Sequence, residues 1–308
     1  MTITSRDFDY VRKLALESSA LAIGPGKEYL VESRLNVLAS SEGFSSLHHL
    51  IQGLHLDRSG NLKRKVVEAL MTHETTFFRD VRPFETLRRV IVPAMIMQRA
   101  SERSLNIWCA GCSAGQETYS IAMLLLENFP ALAGWTVYLM GSDISKRVID
   151  RARSGRYTQL EVNRGLPANL LVKYFQKAKG EWQINGSVRR MAAFQEINLA
   201  GAWPRLPPMD IIFLRNVLIY FDAETRTDIL RRAHRLLNPD GYLFLGGSET
   251  TAGATDKFER LPDERSTVFR PTEHHDILGK SKGQSIEINA PRNPPHTLAA
   301  IVRNTRAT

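Results

Sequence analysis

Leu105-Asn106-Ile107-Trp108-Cys109-Ala110-Gly111-Cys112-Ser113-Ala114-Gly115-Gln116-Glu117-Thr118-Tyr119-Ser120-Ile121-Ala122-Met123 is the stretch on which the fold turns. Leu105 to Cys109 is a short, mostly apolar run of the kind a buried strand uses. Gly111 to Gly115 is a tight loop of small residues. From Gln116 onward Ile121, Ala122, Leu124 and Leu125 recur with helical spacing. A strand, a glycine loop and a helix in succession let the backbone approach a ligand closely and aim the free amides of the helix start at it. The loop is neither G-x-G-x-x-G nor G-x-x-x-x-G-K-S/T, which disfavours a dinucleotide or a nucleoside triphosphate. A nucleoside-bearing ligand without a phosphate chain remains, and S-adenosylmethionine fits that description.

Outward from this stretch, strands and helices alternate, the pattern of a parallel sheet covered on both faces. Trp135–Met140 reads as a second strand followed by Gly141-Ser142-Asp143, with a helix over Lys146–Arg153. Met209–Leu214 is a further strand, followed by Arg215-Asn216-Val217. Ala223–Leu237 is a periodic helix, stopped by Asn238-Pro239-Asp240-Gly241. Tyr242–Leu245 and Ser266–Phe269 supply closing strands. Regularity fails between Tyr157 and Phe194. There Trp182-Gln183-Ile184, the turn Asn185-Gly186 and Val188–Met191 predict a hairpin within a small β-rich insertion. A strand over Ala192–Ile197 follows.

Upstream, the first hundred residues read as helices. Ser5 is placed to cap the first, which carries Phe8, Val11, Leu14 and Ala15. After the break at Gly24-Pro25-Gly26, Tyr29, Leu30 and Leu35 lie on a second. Ser45 begins a third, with Leu47, Leu50, Ile51 and Leu54. Asn61 caps a fourth, with Leu62, Val66, Val67 and Leu70. Lys63-Arg64-Lys65, beside Arg58, forms a basic cluster, either a solvated face or a docking surface for an acidic partner. Pro83 suits the first turn of a linker helix over Phe84–Gln98. The domain division expected is 1–82 helical, 83–104 linker, 105–270 ligand-binding with an insertion at about 157–191, and 271–308 a disordered tail rich in polar residues and proline.

The 308 residues carry a formal net charge of +9, which suits an anionic partner without saying whether it is nucleic acid, acidic protein or membrane surface. No apolar run approaches the roughly 18 residues of a membrane span, and the N-terminus lacks the layout of a signal peptide, so a cytoplasmic protein is expected. Cys109 and Cys112, the only cysteines, form C-x-x-C. They read as two small residues lining a crowded loop, with a redox pair as the alternative. A complete zinc set at motif spacing is missing, and no metal site is expected.

In an open α/β sheet, ligands bind beyond the carboxyl ends of the strands. The Gly111–Gly115 loop, Asp143 and Asn216 fall at such ends. An acidic residue closing the second strand is placed to accept both hydroxyls of a ribose, or to serve as a helix cap.

The combined pattern resembles the chemotaxis-receptor glutamate O-methyltransferases (the CheR type) from about residue 5 to 270. The matching pieces are Thr-x-x-Thr-x-Phe-Phe-Arg at 72–79, Trp-Cys-Ala-Gly-Cys-Ser-Ala-Gly-Gln-Glu at 108–117, and Tyr-Ser-Ile-Ala at 119–122. Asp143-Ile144-Ser145, Asn198-Leu199 and Leu-Arg-Asn-Val-Leu-Ile-Tyr-Phe at 214–221 complete it. The resemblance implies a class I (Rossmann-like) methyltransferase sheet with an N-terminal all-α domain and a small inserted antiparallel β-subdomain. It implies S-adenosylmethionine as cofactor and S-adenosylhomocysteine as product. The partner it implies is the cytoplasmic helical bundle of a chemoreceptor, methylated on glutamate by a monomeric enzyme, with no nucleic acid involved.

Residue by residue, the resemblance puts Thr75 and Arg79 at the methionine end of the cofactor, with His73 standing where the family often carries Asn. Gly111 lies in the loop. Glu117 would bind near the methionine amino group and Asp143 would take the ribose hydroxyls. Asn198 and Leu199 would frame the adenine, and Asn216 and Val217 would line the next strand. Arg79 and Tyr220 are the residues expected beside the transferring methyl. Many family members grip a receptor's C-terminal peptide through a glycine-rich loop of the insertion. Here Gln176–Val188 is compact, with Gly180 and Gly186 its only glycines, so independence of a tether is expected. The competing readings are a methyltransferase for nucleic acid or another protein, and a cofactor-binding regulatory module. A polar-Pro-Pro-aromatic motif, usual for base methylation, is replaced by Arg215-Asn216-Val217-Leu218.

Overall fold

Apolar spacing in the first seventy residues produces four helices: α1 (Ser5–Ser19), α2 (Glu28–Ser41), α3 (Leu47–Leu56) and α4 (Asn61–Leu70). In this computed structural model, which describes residues 3–262, 267–272 and 296–297, their inward faces meet in one core. It holds Phe8, Val11, Leu35, Leu50, Leu54 and Val66. The caps sit beside the expected residues. Thr4, not Ser5, caps α1 by accepting from the Asp7 amide at 3.1 Å. Ser46, not Ser45, caps α3. For α4 the work expected of Asn61 falls to Asp57, whose carboxylate accepts from the Leu62 and Lys63 amides at 2.8 and 3.1 Å. The Ser59 hydroxyl and these amides hold the Asp57 carboxyl down at about 2. Within the basic cluster, Arg64 pairs with Glu68 at 2.9 Å and Lys65 with Glu42.

The linker is α5 (Arg82–Thr86), a π-helical turn (Leu87–Ile91) and α6 (Val92–Gln98). The even helix expected here is interrupted because Pro93 has no N–H for the carbonyl four residues back, and the preceding turn widens. Arg99, just past α6, donates to Asp210 at 2.8 Å and to Asp240 at 2.7 Å, tying the linker to the amino end of the sheet.

The remaining elements run β1 (Ser104–Ala110), α7 (Gln116–Asn128), β2 (Thr136–Asp143), α8 (Lys146–Ser154), β3 (Arg156–Tyr157), α9 (Gln159–Asn163) and α10 (Ala168–Tyr174). Then come β4 (Phe175–Ala178), β5 (Glu181–Ile184), α11 (Gly186–Arg189), β6 (Ala192–Glu196), β7 (Met209–Leu214), α12 (Ala223–Leu236), β8 (Leu237–Leu245), β9 (Phe258–Arg260) and β10 (Val268–Pro271). The large sheet has the order β6-β2-β1-β7-β8-β10-β9. Its first five strands are parallel, while β10 runs antiparallel to β8 and β9 antiparallel to β10. A two-residue strand, β11 (His296–Thr297), lies antiparallel beside the start of β2. Pro271, the first residue of the expected tail, instead ends β10, and apart from Thr272 and β11 the rest of the tail lies outside the described residues.

Successive side chains of β1 enter opposite layers. Ile107 and Cys109 join the core on one face, and Trp108 and Ala110 the other. All six residues of β7 are buried, as a strand covered by helices on both faces requires. Strand order reverses at β1 and β7, which places a crevice beyond their carboxyl ends.

The insertion corrects one expectation. Its sheet, β3-β5-β4, is antiparallel, but the hairpin joins β4 to β5 through Lys179-Gly180. Both of those residues have positive φ, +52° and +82°, which a two-residue I′ turn demands. Asn185-Gly186 instead opens α11. Asn185 has φ −64°, its amide donates to the Tyr174 carbonyl at 2.8 Å, and its side chain donates to the Lys173 carbonyl at 3.1 Å. Those bonds to α10 override the local turn preference. Asn238-Pro239-Asp240-Gly241 likewise does not part helix from strand. It lies inside β8, where the pairing with β7 shifts register between Met209 and Ile211.

Candidate active site

A cleft of about 900 Å³, counting the part open to solvent, lies at the carboxyl ends of β1, β2 and β7. Its wall includes every residue singled out from sequence: His73, Thr75, Arg79, Gly111, Glu117, Asp143, Asn198, Leu199, Asn216, Val217 and Tyr220. These come from stretches as distant as the segment before the linker helix and the turn after β7. The fold, not local sequence, brings them together.

The floor is the turn after β1. The Gly111 and Cys112 amides both donate to the Ser142 carbonyl at 2.8 Å, locking the turn against β2. Gly111 has φ +77°, and a Cβ there would lie 2.3 Å from Val217 Cγ2. Only glycine lets the loop pass that close. Cys109 and Cys112 are buried free thiols, and burial pushes both well above the ordinary thiol value, which argues against redox chemistry.

Asp143 ends β2. Its Oδ2 accepts from the Ser113 amide at 3.0 Å and its Oδ1 from the Ser145 amide at 3.1 Å. Ser145, not Asp143, caps α8. Asp143 also lines the cleft, where its carboxylate keeps acceptor capacity. Burial pushes the Asp143 carboxyl up, with the nearby imidazole of His73 and the amides acting against it. His73 is held by its own carbonyl, which accepts from Ser113 Oγ at 2.7 Å.

Across the cleft, Glu117 in the first turn of α7 meets Arg215 at the end of β7, Nη1 to Oε2 at 2.7 Å. Burial raises the Glu117 carboxyl and the guanidinium pulls it back. Arg215 also donates to Asp80 Oδ2 at 2.7 Å and to the Arg79 carbonyl at 3.0 Å. One buried cation thus fixes the helix start and the segment bearing Arg79. The Arg79 side chain donates to the Glu74 carbonyl at 3.1 Å. Phe77, fully buried, anchors the same segment between the rings of Tyr157 and Phe175, at centroid distances of 5.0 and 5.7 Å.

Asn216 sits in the left-handed region at φ +58°. The turn is held by Glu249, whose carboxylate accepts from the amides of Asn216, Val217 and Gly246 at 2.7, 2.8 and 2.7 Å. Asn198 bonds outward. Its Nδ2 donates to the Ser18 carbonyl at 3.1 Å, tying α1 to the cleft wall, and its Oδ1 accepts from the Ala200 amide at 3.0 Å. Tyr220 lies at the same seam, where its carbonyl accepts from the Ala22 amide at 2.9 Å.

Arg215 and Ser113 line the cleft and Glu249 holds the Asn216 turn, and the sequence reading assigned none of the three. Arg215 directly follows a wholly apolar strand, where a cation is tolerated only if matched, and that signal was available. Nothing local marks Glu249 or Ser113.

A ligand test comes from the geometry. His73 Nε2 is buried in the cleft wall without a protein partner. Gly111 leaves room for close backbone approach, and the Asp143 carboxylate lines the cleft. These features fit S-adenosylmethionine. Together with the strand order they define the chain as a class I S-adenosylmethionine-binding methyltransferase.

Within that class it belongs to the CheR methyltransferases. The family model described as CheR methyltransferase, SAM binding domain, matches residues 73–267. The chain is 37% identical over 274 residues to chemotaxis protein methyltransferase 1 of Pseudomonas aeruginosa, covering 88% of this chain and 99% of the relative. It is 37% identical over 274 residues to chemotaxis protein methyltransferase Cher2 of Pseudomonas putida, with the same coverage. It is 31% identical to the chemotaxis protein methyltransferase of Borreliella burgdorferi, covering 82% and 91% of the two chains. Among solved structures, the glycopeptide N-methyltransferase MtfA overlaps at a TM-score of 0.34 and 14% identity, covering 62% of this chain and 56% of that one. Among the described residues, no helix is long and apolar enough to cross a membrane.

Proposed function

We propose that the chain esterifies glutamate side chains on the cytoplasmic helical bundle of a chemoreceptor, without needing a C-terminal receptor tether. The observation that carries this reading is the convergence of Asp143, Glu117, Arg79 and Tyr220 on one cleft, in a chain of the CheR family.

S-adenosylmethionine, when bound, supplies a methyl group on a sulfonium, already activated for transfer. Asp143 accepts from the ribose hydroxyls with its free lone pairs. Leu199 and Asn198 frame the adenine. Because both ends of the Asn198 amide are engaged, Asn198 contributes a surface rather than side-chain hydrogen bonds. Glu117 faces the methionine ammonium with the oxygen that Arg215 leaves free, and Thr75 and Arg79 receive the carboxylate end. Gly111, Asn216 and Val217 complete the wall.

A glutamate acceptor has an ordinary pKa of about 4.3 and arrives as a carboxylate, so no general base is required. What the protein supplies is alignment and removal of water. Arg79 and Tyr220 hold the acceptor oxygen at the open side. Residues 1–82 act as the docking unit, 83–104 as linker and 105–270 as catalytic unit, and the protein works in the cytoplasm. Arg58 and Lys63 of the basic cluster face acidic receptor helices. The two-residue Lys179-Gly180 turn supports independence of a tether, since it offers no long glycine loop to hold a peptide.

The test is transfer of labelled methyl from S-adenosylmethionine to purified receptor cytoplasmic fragments, with and without their last few residues. Equal, alkali-labile labelling of both is expected. Label that survives alkali overturns the ester, and label confined to the longer fragment overturns tether independence.

A further inference from the structure

His73 stands beside the carboxylate that closes β2, and its geometry gives the cleft a property beyond binding. Nδ1 lies 3.8 Å from Asp143 Oδ1, outside hydrogen-bond range but close enough for a charge to act. Nε2 is buried in the wall and meets no protein acceptor or donor. The ring is 15% exposed. The backbone at residue 73 is tied to the glycine loop by the bond from Ser113 Oγ to the His73 carbonyl.

We infer that His73 is a positioning residue that links cofactor affinity to pH: neutral, it leaves Asp143 free for the ribose, and protonated, it competes for that carboxylate. This rests on the assignment of the cleft to S-adenosylmethionine. A protonated ring, with Nδ1 3.8 Å from Oδ1 of Asp143, draws that oxygen toward itself and away from a ribose hydroxyl.

The charged groups facing the ring are Asp143 at the end of β2, Glu68 on α4 and Arg147 on α8. Burial is the largest influence and drives the imidazole toward its neutral form. Arg147 adds to it, while Asp143 and Glu68 oppose it. A ligand covering the cleft deepens that burial, so the bound state holds the proton less tightly than the free state. Affinity is therefore full above the free-state pKa and falls as pH drops through it. For a single proton the limit is about tenfold per pH unit.

The experiment is calorimetric titration of the full chain with S-adenosylhomocysteine between pH 4.5 and 8.5, repeated in buffers of different ionisation enthalpy, for the native protein and His73→Asn. Imidazole NMR of the native protein runs in parallel. The native protein should hold its affinity from pH 8.5 down to the ordinary imidazole value of about 6.5 and weaken only below it, with proton release on binding that tracks one imidazole. H73N should bind at pH 7.5 and weaken less over the same acid range. Equal pH dependence in the two proteins, or a flat native profile, overturns the inference. Failure of the native protein to bind at any pH would instead overturn the cofactor assignment itself.

Discussion

Replacing Arg215 by methionine removes the cation that joins three parts of the cleft. The side chain is 1% exposed and makes charge-assisted bonds of 2.7 Å to both Glu117 and Asp80. Asp80 is half-exposed, so water recovers most of that interaction. Glu117 is 12% exposed at its side chain and would be left as a buried, unmatched carboxylate. Breaking one side of a buried pair costs about 3–5 kcal/mol. For a chain of this size that lowers the melting temperature by on the order of 10 °C.

The variant has a second signature. Without Arg215, burial is opposed only by Arg79 and aided by Glu249, and it lifts the folded pKa of Glu117 further above the unfolded value. A group with a raised folded pKa binds more protons when folded, so stability rises as pH falls from the folded pKa toward the unfolded one. R215M should therefore recover part of its loss on mild acidification. Adding Glu117→Gln should recover part of it at neutral pH. Urea unfolding of the native, single and double variants across pH measures all three. A single variant within about 1 kcal/mol of native, or a double variant no better than the single, would refute the reasoning.

Other outcomes follow from the same geometry. Asp143→Asn keeps an acceptor for one loop amide but loses the charge that receives the ribose; with charged hydrogen bonds worth about 1.5–3 kcal/mol each, S-adenosylhomocysteine affinity should fall roughly a hundredfold by calorimetry. Gly165→Ala puts a Cβ 2.0 Å from the Phe77 carbonyl at φ +83° and should destabilise the protein by about 2 kcal/mol or more in urea unfolding. Glu249→Ala strips the shared acceptor from the Asn216 and Val217 amides of the turn and from the Gly246 amide, and should cost about 3 kcal/mol in stability and weaken S-adenosylhomocysteine binding as well.

The sheet and most of the cleft were legible because strand and helix periods differ sharply, and because ligand residues cluster where strands end. Asp143 and the Gly111 loop needed only that rule. The insertion was harder. Asn185-Gly186 carries the stronger hairpin signal, yet bonds from Asn185 back to α10 decide its conformation, and lysine at a left-handed turn position gives no warning. The π-turn before Pro93 shows the same limit, since the proline is visible but the response of the preceding turn is tertiary. Glu249 lies beyond local inference altogether. Its carboxylate also serves the Asn216 turn, far back in the chain, which presents the Asn216 and Val217 amides to it.

The most direct measurement is tandem mass spectrometry of a receptor cytoplasmic fragment after incubation with this protein and S-adenosylmethionine. The account predicts a methyl ester on glutamate side chains of the helical bundle, strongly diminished when Asp143→Asn replaces the native enzyme. A methyl group found instead on lysine, arginine or histidine nitrogen would contradict it, as would modification undiminished in D143N.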